Sequence, residues 1–225
     1  MSGKATDWDA YYKRPAAVAS VTRRISAARI LRTLAQPLAA ERVSICELGG
    51  ANSCFIDDFL RLPSVGRYDV LDLNDYGIEL LTNRFPNDAR VGARVADALA
   101  TPAGSGSYDI VYSVGLIEHF DPQRTARCID AHFNLCRAGG TVLITFPTPT
   151  PPYRLIRGAA ELLGIWAFPD ERPLSFAEVG RACSRRGTVV HQSINWAIGL
   201  TQGYVMTENA SNEASGALPF ARQKR

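Results

Sequence analysis

Four side chains in this sequence stand where they could do chemistry. Glu47 sits in an apolar run two residues before the pair Gly49-Gly50. Asp72 closes a second apolar run roughly 20 residues beyond that turn, Asp97 follows a third run, and His119, after Glu118, follows a fourth. A carboxylate offers two acceptor oxygens, a match for two vicinal hydroxyl donors such as those of a ribose. An acid beside a glycine turn suits a ligand carrying an ammonium and a sulfonium, and it repels phosphate. An imidazole titrates near working pH, so it can take a proton from an acceptor or, in the plainer reading, only shape a pocket. His132 within a helical run and His191 on a late strand are weaker candidates.

The elements that must position these groups follow from the pattern around them. Val43, Ile45, Cys46 and Leu48 make a buried strand, and Gly49-Gly50 permits a sharp turn with the backbone close to a ligand. Phe55, Ile56, Phe59 and Leu60 then have helical spacing, with Asp57 and Asp58 in the first turn, where negative charge suits the dipole. A strand, a tight turn and a helix place a ligand outside the carboxyl end of the strand. No lysine follows to make a P-loop, and Ala51 and Cys54 stand where a dinucleotide fingerprint needs glycine. Further strands are expected at 68–74, 91–96, 109–113, 141–146, 188–191 and 200–205. Asp75 reads as the carboxylate that starts the helix after the second strand, leaving Asp72 freer, although a helix-start or loop-capping role is the alternative for Asp72 and Asp97. A helix is expected over 16–35, one from Asp121-Pro122 to Gly139-Gly140, and one over 175–186 with Ser175 and Glu178 as a capping box.

Glu47-Leu-Gly49-Gly50-Ala51-Asn52-Ser53 resembles motif I of the class I S-adenosylmethionine-dependent methyltransferases, Asp/Glu-x-Gly-x-Gly-x-Gly, with Ala51 and Ser53 where the second and third glycines fall. The resemblance extends over residues 40–208. It implies an α/β, Rossmann-like fold: a seven-stranded, mostly parallel sheet in the order 3-2-1-4-5-7-6, its seventh strand antiparallel, with helices on both faces. It implies S-adenosylmethionine as cofactor, held by Glu47, Gly49, Gly50 and Ala51 at the turn, Asp72 and Leu73 at the ribose, Asp97 and Ala98 at adenine, and Ser113 beneath the methionine portion. It places His119 at the acceptor as the candidate base. The expected reaction is methyl transfer to a small-molecule or lipid- or sugar-linked acceptor, most plausibly at a hydroxyl. Nitrogen or carbon methylation, or a non-catalytic cofactor-binding subunit, are the alternatives. No metal is expected, because Ser113-Val-Gly and Phe146-Pro-Thr stand where a magnesium-dependent enzyme would carry acidic ligands.

The 225 residues fit one domain, expected over 1–206, with 207–225 as a disordered tail. Trp8, Tyr11 and Tyr12 argue that residues 1–15 dock, the resemblance implies that this segment is a lid over the pocket, and Tyr12, Tyr153 and Trp166 are the candidate acceptor contacts. Residues 147–173 read as an acceptor-side insertion. Its apolar stretch 154–168, edged by Arg154 and Arg157, reads as a packed helix, a substrate lid or a peripheral membrane contact. A net charge of +3 gives no footprint for nucleic acid, and Thr150-Pro-Pro-Tyr153 falls after the wrong strand for an amino-methylating box. Five cysteines without a Cys-x-x-Cys pair and no apolar leader point to a reduced, cytoplasmic protein; the oligomeric state is not readable.

Overall fold

The computed structural model describes residues 5–13, 17–100 and 106–210. Seven strands, β1 Val43–Leu48, β2 Val65–Asp72, β3 Val91–Val95, β4 Tyr108–Val114, β5 Cys136–Pro147, β6 Gly187–Asn195 and β7 Gln202–Asn209, form one sheet in the order 3-2-1-4-5-7-6. The pairs from β3 to β5 are parallel, and β7 runs antiparallel between β5 and β6. Among the described residues seven α-helices accompany it: α1 Trp8–Lys13, α2 Ala17–Thr33, α3 Ile56–Leu60, α4 Asp75–Arg84, α5 Pro122–Leu135, α6 Pro151–Leu162 and α7 Phe176–Cys183.

Strand alternation divides the core. On one face Cys46, Leu48, Val111 and Ile144 pack with Ile129 and Phe133 of α5 and Val179 of α7. On the other, Val43, Ile45, Tyr68 and Tyr112 pack with Ile30 and Leu34 of α2, Phe59 of α3 and Ile78 of α4. The central parallel strands β1 and β4 are therefore buried on both faces, which is why they read as near-continuous apolar runs, whereas the edge strand β3 is half-buried to exposed. Strand β1 ends at Leu48 beside Ser113, one residue before the end of β4, in the sheet's middle, at the switch point where the chain departs to either side and where such sheets bind ligands.

Several boundaries differ from expectation, each for a local reason. Asn74, not Asp75, caps α4, its side chain accepting from Gly77 N at 2.6 Å. Helix α5 stops at Leu135, and Gly139-Gly140 lie inside β5, with Gly139 at φ +68°. Helix α6 ends at Leu162, where Gly164 at φ +67° turns the chain, so Trp166 and Phe168 belong to the loop beyond. Ser175 does cap α7, but Glu178 takes Arg172 at 2.8 Å instead of closing the box. Thr207–Asn209 belong to β7, and the rest of the expected tail, from 211, lies outside the described residues.

Candidate functional site

The turn after β1 is built from unusual backbone. Gly49 has φ +72°, and a Cβ there would lie 2.7 Å from Leu116 Cδ1. A Cβ on Gly50 would meet the Glu47 carboxyl at 2.6 Å. Ala51, buried, has φ +35°, and a Cβ on Gly77 in the first turns of α4 would lie 2.6 Å from the Ala51 Cβ. Gly115, at φ +70°, makes the matching turn at the end of β4.

These turns open one wall of a cavity of about 300 Å³ at the carboxyl end of the sheet. Asp72 is on that wall and accepts backbone N–H bonds from Asn74 (2.7 Å), Leu73 and Ala51, so the carboxylate braces the glycine turn across two strands. Burial nevertheless raises its pKa above the ordinary value, against those bonds. Leu73, Asp97 and Ala98 extend the wall. Asp97 also accepts from Leu99 N at 2.8 Å, the loop-capping bond its alternative reading required. The remaining wall is Gly115, Leu116 and Phe120 from the β4 exit, His119 and Asp170 facing them, and Trp8 and Tyr12 of α1.

Helix α1 is tied down from several sides. Asp9 accepts from the Asn74 side chain at 2.6 Å, and Tyr11 takes the Arg23 guanidinium at 2.9 Å. Trp8 meets the His119 ring edge-on at 5.0 Å between centroids and stacks against Phe168 at 6.0 Å. Tyr12 is pushed well above the ordinary phenol value, chiefly by burial and then by the Asp72 charge. His119 Nδ1 lies 3.0 Å from Asp170 Oδ1, with burial lowering the imidazole pKa and Asp170 opposing it. Burial thus favours the uncharged ring, the state a proton acceptor needs.

Seven of the candidate site residues meet on this cavity, Tyr12, Gly49, Asp72, Leu73, Asp97, Ala98 and His119, together with Trp8 of the docking segment. Six others are held elsewhere. Glu47 is 2 % exposed and accepts a hydrogen bond from Tyr68 at 2.6 Å; Tyr68 in turn bonds Tyr112, so the acid supports the turn from below. Gly50 and Ala51 shape the turn without reaching the wall. Ser113, fully buried, donates to His132 Nε2 at 2.8 Å, and His132 Nδ1 donates to Cys128 O at 2.7 Å. Burial lowers His132 to about 4, so this pair is a neutral link between β4 and α5. Tyr153 donates to Glu171, and the Trp166 indole donates to Phe168 O, fixing the loop that carries Phe168 and Asp170. Asp170 had no signal in the sequence: it lies in an aperiodic loop between prolines. Asn74 and Gly115 were not singled out either, although an asparagine before a helical run and a glycine at the end of an apolar run were the signals that could have found them.

Glu118 points inward beside His119. It is 2 % exposed, its Oε2 has no partner, and burial first, then Glu171 and Asp170, raise its pKa well above the ordinary value. An acid whose folded pKa exceeds its unfolded value of about 4.3 lends stability that is whole below that value and is lost as pH climbs toward the folded one. The stability difference between Glu118→Gln and wild type should therefore move in the variant's favour from pH 5 to pH 8 in urea unfolding. An equal difference at both pH values would refute an ionisation cost at this site.

Among the described residues no three His, Cys, Asp or Glu side chains gather as a metal site. The cavity suits a cationic nucleoside: a turn without Cβ where a ligand approaches, a carboxylate at the end of β2, a second acid at the end of β3, and a volume at the lower end of ligand pockets. Comparison with known proteins agrees. Residues 45–140 match the family model described as methyltransferase domain. The fold is similar to that of the N-methyltransferase NodS from Bradyrhizobium japonicum WM9 in complex with S-adenosyl-L-homocysteine, at TM-score 0.62 and 15% identity over 83% of this chain and 86% of that one. It is also similar to magnesium protoporphyrin IX methyltransferase from Synechocystis PCC 6803 with bound S-adenosylhomocysteine, at TM-score 0.67 and 9% identity over 84% of each chain. A third likeness is to the CurJ carbon methyltransferase, at TM-score 0.64 and 15% identity over 89% of this chain and 57% of that one. No curated protein sequence matches.

Proposed function

We infer that this chain, a class I S-adenosylmethionine-dependent methyltransferase, methylates a hydroxyl oxygen on a small-molecule or lipid- or sugar-linked acceptor. The observation that carries the oxygen assignment is the His119 imidazole on the same cavity wall as the glycine turn and Asp72, its burial favouring the uncharged ring. The cofactor supplies a methyl group already activated on a sulfonium. Asp72 and Leu73 would hold its ribose, Asp97 and Ala98 its adenine, and the Gly49 turn would let the backbone approach it.

What remains for the protein is alignment and proton removal. His119 accepts the hydroxyl proton, while Trp8, Tyr12 and Phe120 narrow the cavity around the acceptor and keep water out. A lipid-linked acceptor is supported by the exposed apolar side of α6 and the loop after it: Leu155, Leu162, Leu163 and Ile165 are 70–88 % exposed, next to the exposed Arg154. That side is suited to lie on a lipid surface. The free cysteines, four of them buried, fit a reducing cytoplasm.

The test is calorimetric titration with S-adenosylmethionine, with NADH and ATP as controls, followed by mass-spectrometric detection of methylated product. Soluble hydroxylated sugars would be compared with hydroxylated lipids in anionic vesicles. Micromolar binding of the methyl donor alone and an O-methylated product are expected, with turnover on vesicles lost in Leu162→Asp. No donor binding with or without acceptor would overturn the reading, and an N- or C-methylated product would overturn the oxygen assignment.

A further inference from the structure

His119 is not held by its own strand. It lies on the short 3-10 turn Ile117–His119, and two distant segments fix its ring. From the loop after α6, Asp170 Oδ1 meets Nδ1 at 3.0 Å. From the N-terminal segment, Trp8 packs edge-on against the ring, with Phe168 also in contact at 6.1 Å between centroids. The same N-terminal segment also holds the carboxylate: Thr6 N donates to Asp170 Oδ2 at 3.2 Å and the Thr6 hydroxyl donates to Oδ1. Thr6 is 8 % exposed, although it precedes the first helix by two residues. Residues 6 and 8 thus grip the two members of one pair, Thr6 the aspartate and Trp8 the histidine.

We propose that Asp170 is a positioning residue that fixes His119 in the tautomer protonated at Nδ1, leaving Nε2 as the proton-accepting nitrogen, and that Thr6 and Trp8 complete this pair when the N-terminal segment covers the cavity. An ionised carboxylate can only accept, so a neutral ring bonded to it through Nδ1 must carry its proton there. Burial works to raise Asp170, but its bonds from Thr6 and His119 outweigh that and keep it ionised. The N-terminal segment is then more than a cover. It joins acceptor enclosure to assembly of the base, because the residues that close the cavity also orient the carboxylate.

In this arrangement the acceptor hydroxyl would give its proton to Nε2 as its oxygen bonds the methyl carbon of the donor and the carbon–sulfur bond breaks, the electron pair leaving on the sulfur, which departs as a neutral thioether. The ring becomes an imidazolium whose second N–H is already bonded to an anion, so Asp170 stabilises the charge as it forms. Asp72, Asp97 and Tyr12 are the other ionisable groups on the cavity wall, and Glu118 and Glu171 lie behind it. None of them is altered in the test.

This inference rests on His119 as the base, and its test does not need the acceptor. The full chain has three histidines, so 15N-histidine labelling gives a spectrum in which His119→Gln assigns the signal. The wild-type His119 ring should show a protonated Nδ1 and an unprotonated Nε2 at pH 8. In Asp170→Asn the populations should shift toward the Nε2-protonated tautomer and the titration midpoint should fall. Thr6→Val, which keeps shape and removes one hydroxyl, should move both in the same direction by less, and it serves should Asp170→Asn fail to fold. His132 signals, fixed by Cys128 and Ser113, should not move, which separates repositioning of one ring from general loosening. Unchanged His119 tautomer and midpoint in both variants would overturn the proposal. Donor titration of the wild type is read separately: a tautomer switch in a chain that binds no donor would support the pair and remove the methyl-transfer reading, whereas donor binding with an unmoved tautomer would remove the pair alone.

Discussion

Asp72→Ala is expected to weaken S-adenosylmethionine binding by roughly a hundredfold or more. The side chain has two tasks in this geometry. On the proposed reading its carboxylate meets the two ribose hydroxyls, and hydrogen bonds to a charged group are worth about 1.5–3 kcal/mol each. It also accepts N–H bonds from Asn74, Leu73 and Ala51, and so spans the ends of β1 and β2. Alanine removes both, and tenfold in affinity corresponds to about 1.4 kcal/mol. Asp72→Asn should fall between, because the amide oxygen still accepts backbone bonds while the charge is gone. Calorimetric titration of both variants measures this, with circular dichroism to show that the fold is kept. A donor Kd within threefold of wild type in folded Asp72→Ala protein would remove the cofactor assignment at β2.

Glu47→Ala should act on the fold instead, lowering the unfolding free energy by about 3–5 kcal/mol. Removing a large buried side chain costs about 2–5 kcal/mol, and a buried donor left without its acceptor adds about 1–3 kcal/mol. Here Tyr68 loses the acceptor of its hydroxyl, beside a Tyr112 that is equally buried. That loss is a large part of the 5–15 kcal/mol a domain usually has. Glu47→Gln keeps an acceptor for Tyr68 and should retain most of the stability. Urea midpoints followed by fluorescence would separate the three proteins. An alanine variant as stable as wild type would mean that the phenols find other partners and that Glu47 does not brace the turn. Donor affinity in Glu47→Gln should change less than in Asp72→Asn, since Glu47 is not on the cavity wall.

Much of the arrangement was legible along the chain because the relevant forces are local. Apolar runs ending at Gly49 and Gly115 mark strands that stop at turns, since only a residue without Cβ takes φ near +70° without strain. Acids at strand ends are equally visible: Asp72 is the last residue of β2, Asp97 lies two residues beyond β3, and both line the cavity. The end of α6 was less legible. Apolar spacing continues past Leu162 to Phe168, and only the Gly164 turn shows where the helix stops.

Contacts between distant segments were not legible at all. Glu47 looked like a ligand residue because alternation tells which face of a strand it occupies but not what the neighbouring strand places beside it. The register sets Glu47 next to Tyr112 on β4, with Tyr68 two residues before its partner Val70 on β2, and so the acid is consumed by two phenols. Ser113 is likewise taken by His132 of α5. Asp170 and Thr6 are 164 residues apart, and no periodicity links a loop between prolines to the start of the chain.

The sequence by itself therefore determined the sheet, the glycine turns and the acids that close its strands, since each depends on steric and hydrophobic rules acting over a few residues. Only the tertiary structure decided which polar groups face the cavity and which are spent inside the protein. That depends on strand register and on where the loops return, and it makes His119, Asp170 and the N-terminal segment one unit.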